Sequence, residues 1–224
     1  NGVFESDADN CMLMHAGGLT TNDSSEPYAK IYSHEDRGNF FLTEYFVDLL
    51  KSTNDPRLSL IGTVCEEPTI SVQAGSDFQY GNSDPAVQKG LPSGFSDSPD
   101  SPWFVGNKYP EFKDEDYRST YRSRYSTINR YTYSDSTGPT FVCTYAQTQL
   151  LLAEAAVRGW VDGSAQTYYE NGVRAAMRQF AQFPNGTALY NQYLTQAAID
   201  RYLTENPFNA SKALEQINTQ YWIN

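Results

Sequence analysis

The residues of this sequence best suited to chemistry are aromatic rings that stand near amide side chains. A neutral sugar has an apolar C–H face and a rim of hydroxyls, so its site needs a flat ring beside amide or carboxylate acceptors. The sequence supplies this combination with Phe78, Tyr80, Asn82, Trp103, Asn107 and Tyr109. Pro99 and Pro102 remove the segment around Trp103 from regular structure, which makes Trp103 the first candidate for ligand contact. The alternative is that Trp103 packs under its own loop.

Motifs of catalysis are missing from the sequence. It has no H-E-x-x-H, G-x-S-x-G, Walker A or G-x-G-x-x-G pattern, and neither His15 nor His34 has a nucleophile pattern nearby. Asp97 with Asp100, or the acidic run at 114–116, could form the acid pair of a glycosidase. A solvated surface explains such acidic residues better in a chain with a net charge of -11. We therefore predict a binding protein and not an enzyme.

Metal and disulfide patterns are weak. Asp7-Ala8-Asp9-Asn10 resembles the start of a calcium loop but lacks the glycine and the glutamate that such a loop needs further on. Cys11, Cys65 and Cys143 are far apart and include no C-x-x-C pair. We predict three buried thiols, with one disulfide and one free thiol as the alternative. No metal and no cofactor is expected.

Length and charge limit the class of protein. The 224 residues suit one large domain or two small ones. The net charge of -11 argues against nucleic acid and anionic lipid as partners. No apolar run approaches the roughly 18 residues of a membrane span. The N-terminal residues lack a signal-peptide pattern, so any targeting segment has been removed or lies upstream.

Two amphipathic helices joined by a short turn form the centre of the predicted fold. The first, at 144–158, carries a wide apolar stripe: Leu150, Leu151, Leu152, Ala153, Ala155 and Ala156. The second, at 164–180, places these residues on one face: Tyr169, Val173, Ala176, Met177 and Phe180. Gly159 and Gly163 separate the helices, and Ser164 is the predicted N-cap of the second. A connection this short makes the helices antiparallel.

Further helices are predicted at 39–53, 190–203 and 210–221. The first would start after Asn39 or Thr43. The intervening region at 59–140 is rich in proline, glycine and aromatic residues, which is typical of an ordered surface built from loops. Short strands are predicted at Thr69–Val72 and Tyr125–Tyr133. Trp160 and Trp222 stand beside helix ends, and we predict that both belong to the core.

Four segments of the chain together indicate a family. They are Asp55-Pro56-Arg57-Leu58, the run from Tyr145 to Ala156, the run from Tyr169 to Met177, and Ile217-Asn218-Thr219-Gln220-Tyr221-Trp222. In this order they resemble the SusD/RagB superfamily and are most similar to its second SusD-like branch. The resemblance covers residues 40–224 and implies a mainly α fold with tetratricopeptide-like antiparallel helix pairs, long irregular loops and little β structure.

The resemblance also implies a function and a location. Such proteins are larger, so residues 1–224 would be a single domain from the C-terminal portion, and Cys11 lacks the context of a lipidation site. The family implies a surface lipoprotein of the outer membrane that captures glycan, or sometimes peptide, and covers a TonB-dependent transporter. Two alternatives stay open: a helical glycoside hydrolase and a protein-binding helical scaffold.

Charged residues of the motifs suggest structural roles. Glu154 lies seven residues before Val161 in the turn and Arg174 lies thirteen after it, which is within about one helical turn of perfect register. We predict that they form a partly buried ion pair fixing the register of the two helices. Arg57 is expected to have a comparable structural role.

Overall fold

A computed structural model of the chain describes residues 2–17, 40–65, 81–94 and 125–224. Helices dominate these ranges, which confirms the predicted mainly helical fold. The α-helices are α1 (Glu44–Ser52), α2 (Leu58–Ile61), α3 (Tyr145–Val157), α4 (Ala165–Arg178), α5 (Thr187–Tyr193), α6 (Gln196–Glu205) and α7 (Ala213–Ile223). Short 3-10 helices cover Asp7–Asp9, Gln179–Gln182, Pro184–Gly186 and Ala210–Lys212. Within the described ranges, no helix combines the length and apolar character that crossing a bilayer requires.

Five short strands form two small sheets in the described part of the chain. They are β1 (Cys11–Leu13), β2 (Gly62–Cys65), β3 (Gly81–Asn82), β4 (Thr127–Ile128) and β5 (Thr140–Cys143). β1 pairs with β5, and β2 lies between β3 and β4, with antiparallel pairing throughout. β structure is therefore as limited here as the sequence predicts.

Helix α3 begins and ends with strong local signals. Thr144 and Gln147 form a capping box, in which Thr144 Oγ1 accepts from the Gln147 N–H at 3.1 Å and Gln147 Oε1 accepts from the Thr144 N–H at 3.0 Å. Gly159 has a φ of 70°, and the Trp160 N–H donates to the Ala155 carbonyl at 2.9 Å. These contacts form a Schellman motif, which ends the helix where the sequence predicts.

Helix α4 packs on α3 through the face that the sequence predicts. Ser164 caps α4 by accepting from the Thr167 N–H at 3.3 Å. The predicted inward side chains are all at most 2% exposed: Tyr169, Val173, Ala176, Met177 and Phe180. Gly172 faces α3, where an added Cβ would lie 2.8 Å from Cγ of Leu150. The absence of a side chain at this position lets the two helices approach closely.

A charged network in the core joins the first and last motifs of the sequence. Arg57 is 1% exposed, and its Nε donates to Asp55 Oδ1 at 2.9 Å. Arg57 Nη2 also donates to Gln220 Oε1 at 2.7 Å, and Gln220 Nε2 donates to the Tyr202 hydroxyl at 2.9 Å. Burial opposes the charge of Arg57, but the Asp55 carboxylate outweighs it and raises the pKa of the guanidinium. Arg57 therefore has the structural role predicted for it.

Glu154 and Arg174 do not pair with each other, so the predicted register pair is wrong. Glu154 instead binds Arg158 on the same helix, with Oε1 2.7 Å from Nη2, because residues four apart on a helix are neighbours. Arg174 binds Asp200 of α6, and this hydrogen bond lowers the pKa of the Asp200 carboxyl. Among the described residues, the buried ion pair is Asp55–Arg57, which lies outside the hairpin.

Two helix boundaries differ from the prediction because of local caps. The predicted helix at 190–203 is divided into α5 and α6 at Thr195, whose Oγ1 accepts from the Ala198 N–H at 3.2 Å and starts a new helix. The predicted helix at 39–53 begins only at Glu44, after Thr43, which is one of the two N-caps expected. In both cases a threonine side chain accepts a hydrogen bond from a free N–H group and so sets the first residue of the helix.

The strand predicted at 125–133 is mostly a turn. Only β4 forms there, because Asn129 Oδ1 accepts from the Tyr131 N–H at 3.0 Å and turns the chain. The strand predicted at 69–72 lies outside the described residues.

Several apolar residues that we expected in the core are exposed. Trp160 is 72% exposed, and its ring lies 5.3 Å from the guanidinium of Arg158 in the turn after α3. Trp222 is 56% exposed near the end of α7. Cys11 and Cys143 are also exposed, so the prediction of buried thiols is wrong for these two. A large apolar side chain beside a helix end can as well point outward as inward.

Candidate ligand-binding site

Most of the predicted sugar-binding residues lie outside the described part of the chain. These are Phe78, Tyr80, Trp103, Asn107 and Tyr109. Asn82 is described and ends strand β3, where its Oδ1 accepts from the Asp84 N–H at 2.9 Å. That contact gives Asn82 a role in turning the chain, and its role in binding a ligand stays a prediction.

The described residues enclose a cavity with the character of a ligand site. Its volume is about 620 Å³, within the usual size range of small-molecule sites. It lies where the start of α1, strand β5, the start of α3 and the end of α7 meet. Its lining consists of Phe41, Leu42, Thr43, Phe46, Ile61, Ile128, Thr132, Tyr133, Pro139, Thr140, Phe141, Thr144, Gln147, Gln179, Phe183, Trp222, Ile223 and Asn224. We call it the aromatic cavity.

A packed group of rings forms the inner wall of the aromatic cavity. Tyr133 contacts Phe180 and Phe183 edge-on, with ring centroids 5.6 and 5.2 Å apart. Phe141 of β5 contacts Phe183 in the same manner at 5.9 Å. Edge-to-face pairs of this kind restrict the orientation of each ring more than burial alone does. The inner wall is therefore rigid and apolar.

The rim of the aromatic cavity presents rings to solvent. Trp222 is 56% exposed and packs edge-on against Phe46, with centroids 5.2 Å apart. Tyr45, which is 72% exposed, lies next to Trp222 with a centroid distance of 6.1 Å. An accessible indole supported by two neighbouring rings is a platform on which an apolar sugar face can stack. The sequence does not indicate this platform, because its pattern favours a core position for Trp222.

Amide groups accompany the rings of the aromatic cavity. Gln147 uses its Oε1 in the cap of α3, while its Nε2 has no hydrogen-bond partner among the described residues. Gln179 Oε1 is buried and also has no partner in the described part of the chain. Burial raises the pKa of the Tyr133 hydroxyl to about 12, so it is neutral at physiological pH. The wall thus combines neutral donors and acceptors with rings.

The charge of the lining side chains indicates which class of ligand the aromatic cavity can bind. None of the described lining residues carries a charged side chain, although the chain as a whole has a net charge of -11. A charged ligand would lose its hydration here without gaining an ionic partner. The aromatic cavity therefore favours an uncharged ligand with apolar and hydroxyl faces.

A second cavity of similar size has different chemistry. It measures about 690 Å³ and lies between the end of α1 and helix α6. Its lining includes the charged side chains of Lys51, Asp55, Arg201 and Glu205, with Tyr193 as its one aromatic ring among the described residues. This cleft lacks a stacking platform and is a poorer site for a neutral sugar.

The two carboxylates of the segment Asp7-Ala8-Asp9-Asn10 each accept hydrogen bonds through one oxygen. Ser6 and Asp9 cap the 3-10 helix Asp7–Asp9, with Asp9 Oδ2 accepting from the Glu5 N–H at 2.8 Å. Asp7 Oδ2 accepts from Arg178 Nε at 2.7 Å. No cluster of three or more metal-ligating side chains occurs among the described residues. The segment acts as a cap and a link to α4.

The fold and the aromatic cavity define a mainly helical protein with a site for a neutral ligand. The chain belongs to the SusD-like_2 family, whose model is described as "Starch-binding associating with outer membrane" and matches residues 1–224. This membership confirms the resemblance of the sequence motifs. SusD-like proteins are binding proteins and not catalytic enzymes, in agreement with the missing catalytic motifs.

Solved structures show the same fold in longer chains. A SusD-like protein of Bacteroidetes AC2a is 25% identical with a TM-score of 0.75, covering 99% of this chain and 48% of its own. A protein named as chitin-binding is 28% identical with a TM-score of 0.68, covering 99% of this chain and 40% of its own. An outer-membrane protein of Bacteroides vulgatus shares the fold at 24% identity and a TM-score of 0.67, covering 99% of this chain and 43% of its own.

The chain thus spans less than half the length of these structures. A comparison with curated proteins gives no significant match.

Proposed function

We propose that the aromatic cavity binds a neutral oligosaccharide and that the protein captures glycan without catalysis. The observation that carries this proposal is the exposed Trp222 ring at the rim of an uncharged cavity. A pyranose ring has an apolar C–H face for the indole and hydroxyls for the amides of Gln147 and Gln179. Family membership supports the proposal, because the family is described as starch-binding.

The charge of the chain narrows the proposed ligand to uncharged glycans. A net charge of -11 repels acidic polysaccharides, and the described lining residues include no cation to compensate. Neutral polymers of glucose or N-acetylglucosamine fit this environment. One structural neighbour is named as chitin-binding, which agrees with a neutral polymer.

We further propose that the protein acts at the cell surface as part of nutrient uptake. The family description associates it with the outer membrane. The protein would be a surface-exposed lipoprotein that passes captured glycan to a TonB-dependent outer-membrane transporter. Single surface sugar sites are typically weak, near the millimolar range of about -4 kcal/mol. Several copies on one polymer, together with a transporter beneath them, would raise the effective affinity.

The test is a binding titration of the chain with linear oligosaccharides of starch and of chitin. We expect Trp222→Ala to lower the affinity for the bound glycan about tenfold or more, because it removes the stacking platform. The matched control is Trp160→Ala, since Trp160 is 72% exposed and lies in the turn after α3, away from the aromatic cavity. That variant should bind as the unchanged chain does.

Three outcomes would contradict the proposal. Equal losses in the two tryptophan variants would show that stacking on Trp222 is not specific. Binding of acidic glycans in preference to neutral ones would contradict the role of the uncharged lining. A glycan array without any bound sugar would favour the alternative of a peptide-binding scaffold.

The ligand-binding residues predicted from the sequence provide a second arm of the test. We propose that Trp103, Tyr109, Phe78, Tyr80, Asn82 and Asn107 add contacts for longer oligosaccharides. Trp103→Ala should then weaken binding of long chains more than that of short ones. If Trp103→Ala abolishes all binding while Trp222→Ala has no effect, the site lies with the predicted residues and not in the aromatic cavity.

A further inference from the structure

Two cysteines face each other across the small sheet formed by β1 and β5. Cys11 is the first residue of β1, Cys143 is the last residue of β5, and the two are direct partners in the antiparallel register. Both are exposed. An irregularity of the pairing between Cys11 and Met12 brings Cys143 into this position, since Met12 already faces Phe141.

The register places the backbones of the two cysteines side by side on neighbouring strands, at an irregularity of the pairing. Directly opposed residues of antiparallel strands have Cα atoms about 5.5 Å apart in hydrogen-bonded pairs and about 4.5 Å apart in the others. Disulfides form between Cα atoms about 4.4–6.8 Å apart, so either type of pair fits. Side chains of directly opposed residues also lie on the same face of a sheet. We propose that Cys11 and Cys143 form a disulfide in an oxidising extracytoplasmic environment.

The position of this bond gives it a structural role. Strand β1, which carries Cys11, is only three residues long. Asn10 Oδ1 accepts from the Tyr145 N–H at 2.7 Å, in the first turn of α3, directly beside the cysteine pair. A disulfide next to this hydrogen bond would fasten the N-terminal segment to the start of α3. A sheet of two short strands has little stability by itself and would gain most from such a bond.

The location of the family agrees with the chemistry. Its description associates it with the outer membrane, and disulfides persist in the periplasm and on cell surfaces. The backbone of Cys65 lies in the other sheet, where it pairs with Gly81. The proposal does not depend on glycan binding, and its test is independent of it.

The bond forms by thiol–disulfide exchange with a disulfide oxidant. The thiolate of one cysteine attacks a sulfur of the oxidant and releases one oxidant thiolate, which leaves a mixed disulfide. The thiolate of the second cysteine then attacks the protein sulfur of the mixed disulfide and releases the other oxidant thiolate. The two cysteines lose two protons and two electrons in total, and the oxidant disulfide is reduced to two thiols.

The test is a count of free thiols before and after exposure of the reduced chain to oxidised glutathione. The sequence has three cysteines, so we expect three thiols to fall to one in the monomer. The intact mass should fall by about 2 Da, the loss of two hydrogens. Peptide mapping without reductant should recover the Cys11 and Cys143 peptides as one cross-linked species. Hydrogen exchange at β1 should be about tenfold slower in the oxidised form.

Matched variants assign the effect to this pair. Cys65→Ser should lose both of its remaining thiols and keep the slower exchange of β1. Cys11→Ser and Cys143→Ser should form no intramolecular bond, and their β1 exchange should not respond to the oxidant. The proposal is overturned if all three thiols persist, if Cys65 is a member of the bond, if the link joins two chains, or if a stable glutathione adduct forms instead.

Discussion

Helix α7 presents two different chemistries on its two faces. Gln220 is 4% exposed and accepts a hydrogen bond from Arg57 in the interior. Trp222, two residues later, is 56% exposed and lies on the rim of the aromatic cavity. Residues two apart on a helix differ by about 200° around its axis, so they point in nearly opposite directions. One short segment therefore both holds the fold and supplies the ligand surface.

The difference between the two faces lies in how their polar groups are satisfied. In the interior, Asp55, Arg57, Gln220 and Tyr202 bind one another, and Arg57 Nη1 is the atom of this network that has no partner among the described residues. In the aromatic cavity, amide atoms of Gln147 and Gln179 have no partner in the described part of the chain. A buried polar group that loses its hydrogen-bond partner lowers the stability of the fold, whereas an unpaired polar group at a cavity can bind a ligand. Substitutions inside should therefore change stability, and substitutions at the rim should change binding.

The largest expected effect is the loss of the interior charge pair. Arg57→Met leaves the Asp55 carboxylate buried without its partner, which we expect to lower the free energy of unfolding by about 3–5 kcal/mol. Urea denaturation followed by circular dichroism measures this loss. The double variant Asp55→Asn with Arg57→Met should recover part of it, because the unpaired charge is then removed. Arg201→Met, at an exposed arginine, serves as the control. A similar loss of unfolding free energy in the control would show that the Asp55–Arg57 pair stabilises the fold no more than an exposed arginine does.

The effect of alkaline pH on stability tests whether the hydroxyl of Tyr133 stays protonated in the folded chain. The pKa of Tyr133 is raised by burial to about 12, from 10.0 for an ordinary tyrosine. Above the ordinary pKa the unfolded chain releases this proton while the folded chain retains it, so stability falls as pH rises towards 12. The decline attributable to Tyr133 is about 2–3 kcal/mol.

The measurement is a series of urea denaturation curves between neutral and strongly alkaline pH. Tyr133→Phe should make the decline shallower, because phenylalanine has no proton to release. Tyr45→Phe, at a tyrosine that is 72% exposed, should leave the slope unchanged. An equal change of slope in both variants would mean that Tyr133 is not held neutral by its surroundings.

The rim of the cavity should contribute little to stability. Trp222→Ala removes a side chain that is 56% exposed, together with its ring contacts to Phe46 and Tyr45, and should cost about 1 kcal/mol. Ile217→Ala, at a residue of α7 that is 1% exposed, should cost about 2–5 kcal/mol. Thermal unfolding of the two variants compares them directly. If Trp222→Ala costs as much as Ile217→Ala, Trp222 belongs to the core after all, and its loss of glycan binding would have another cause.

The hairpin of α3 and α4 was predictable because its signals are local. Thr144, Gly159 and Ser164 are caps that act on residues within one turn, and the inward face of α4 follows from helical periodicity. The network was not predictable in its partners, since Arg57 and Gln220 lie 163 residues apart. Such contacts depend on how distant segments pack together, and the spacing of residues in the sequence does not show that packing.

The candidate site shows the same limit. The sequence indicates the chemistry of rings beside amides, but it does not show which rings the fold brings together. Tryptophan is highly buried on average, which favours a core position for Trp222 at the level of sequence. Its exposure is decided by the direction in which the last turn of α7 points. The pairing of Cys11 with Cys143 likewise depends on strand register, which their separation in the sequence does not reveal.

The smallest expected effect concerns the ion pairs on the surface of the hairpin. Glu154 binds Arg158 and Arg174 binds Asp200, so Glu154 and Arg174 share no contact. In a double-mutant cycle of Glu154→Ala and Arg174→Ala, the coupling should lie within about 0.3–0.5 kcal/mol of zero, because the residues have no common partner. A cycle of Arg174→Ala with Asp200→Ala should instead be non-additive. A clear coupling between Glu154 and Arg174 would restore the pair that their spacing suggests. It would also mean that charged residues on the surface of the hairpin help to fix the register of the two helices. The register would then depend less on Leu150 and Gly172, which are in close contact inside the hairpin.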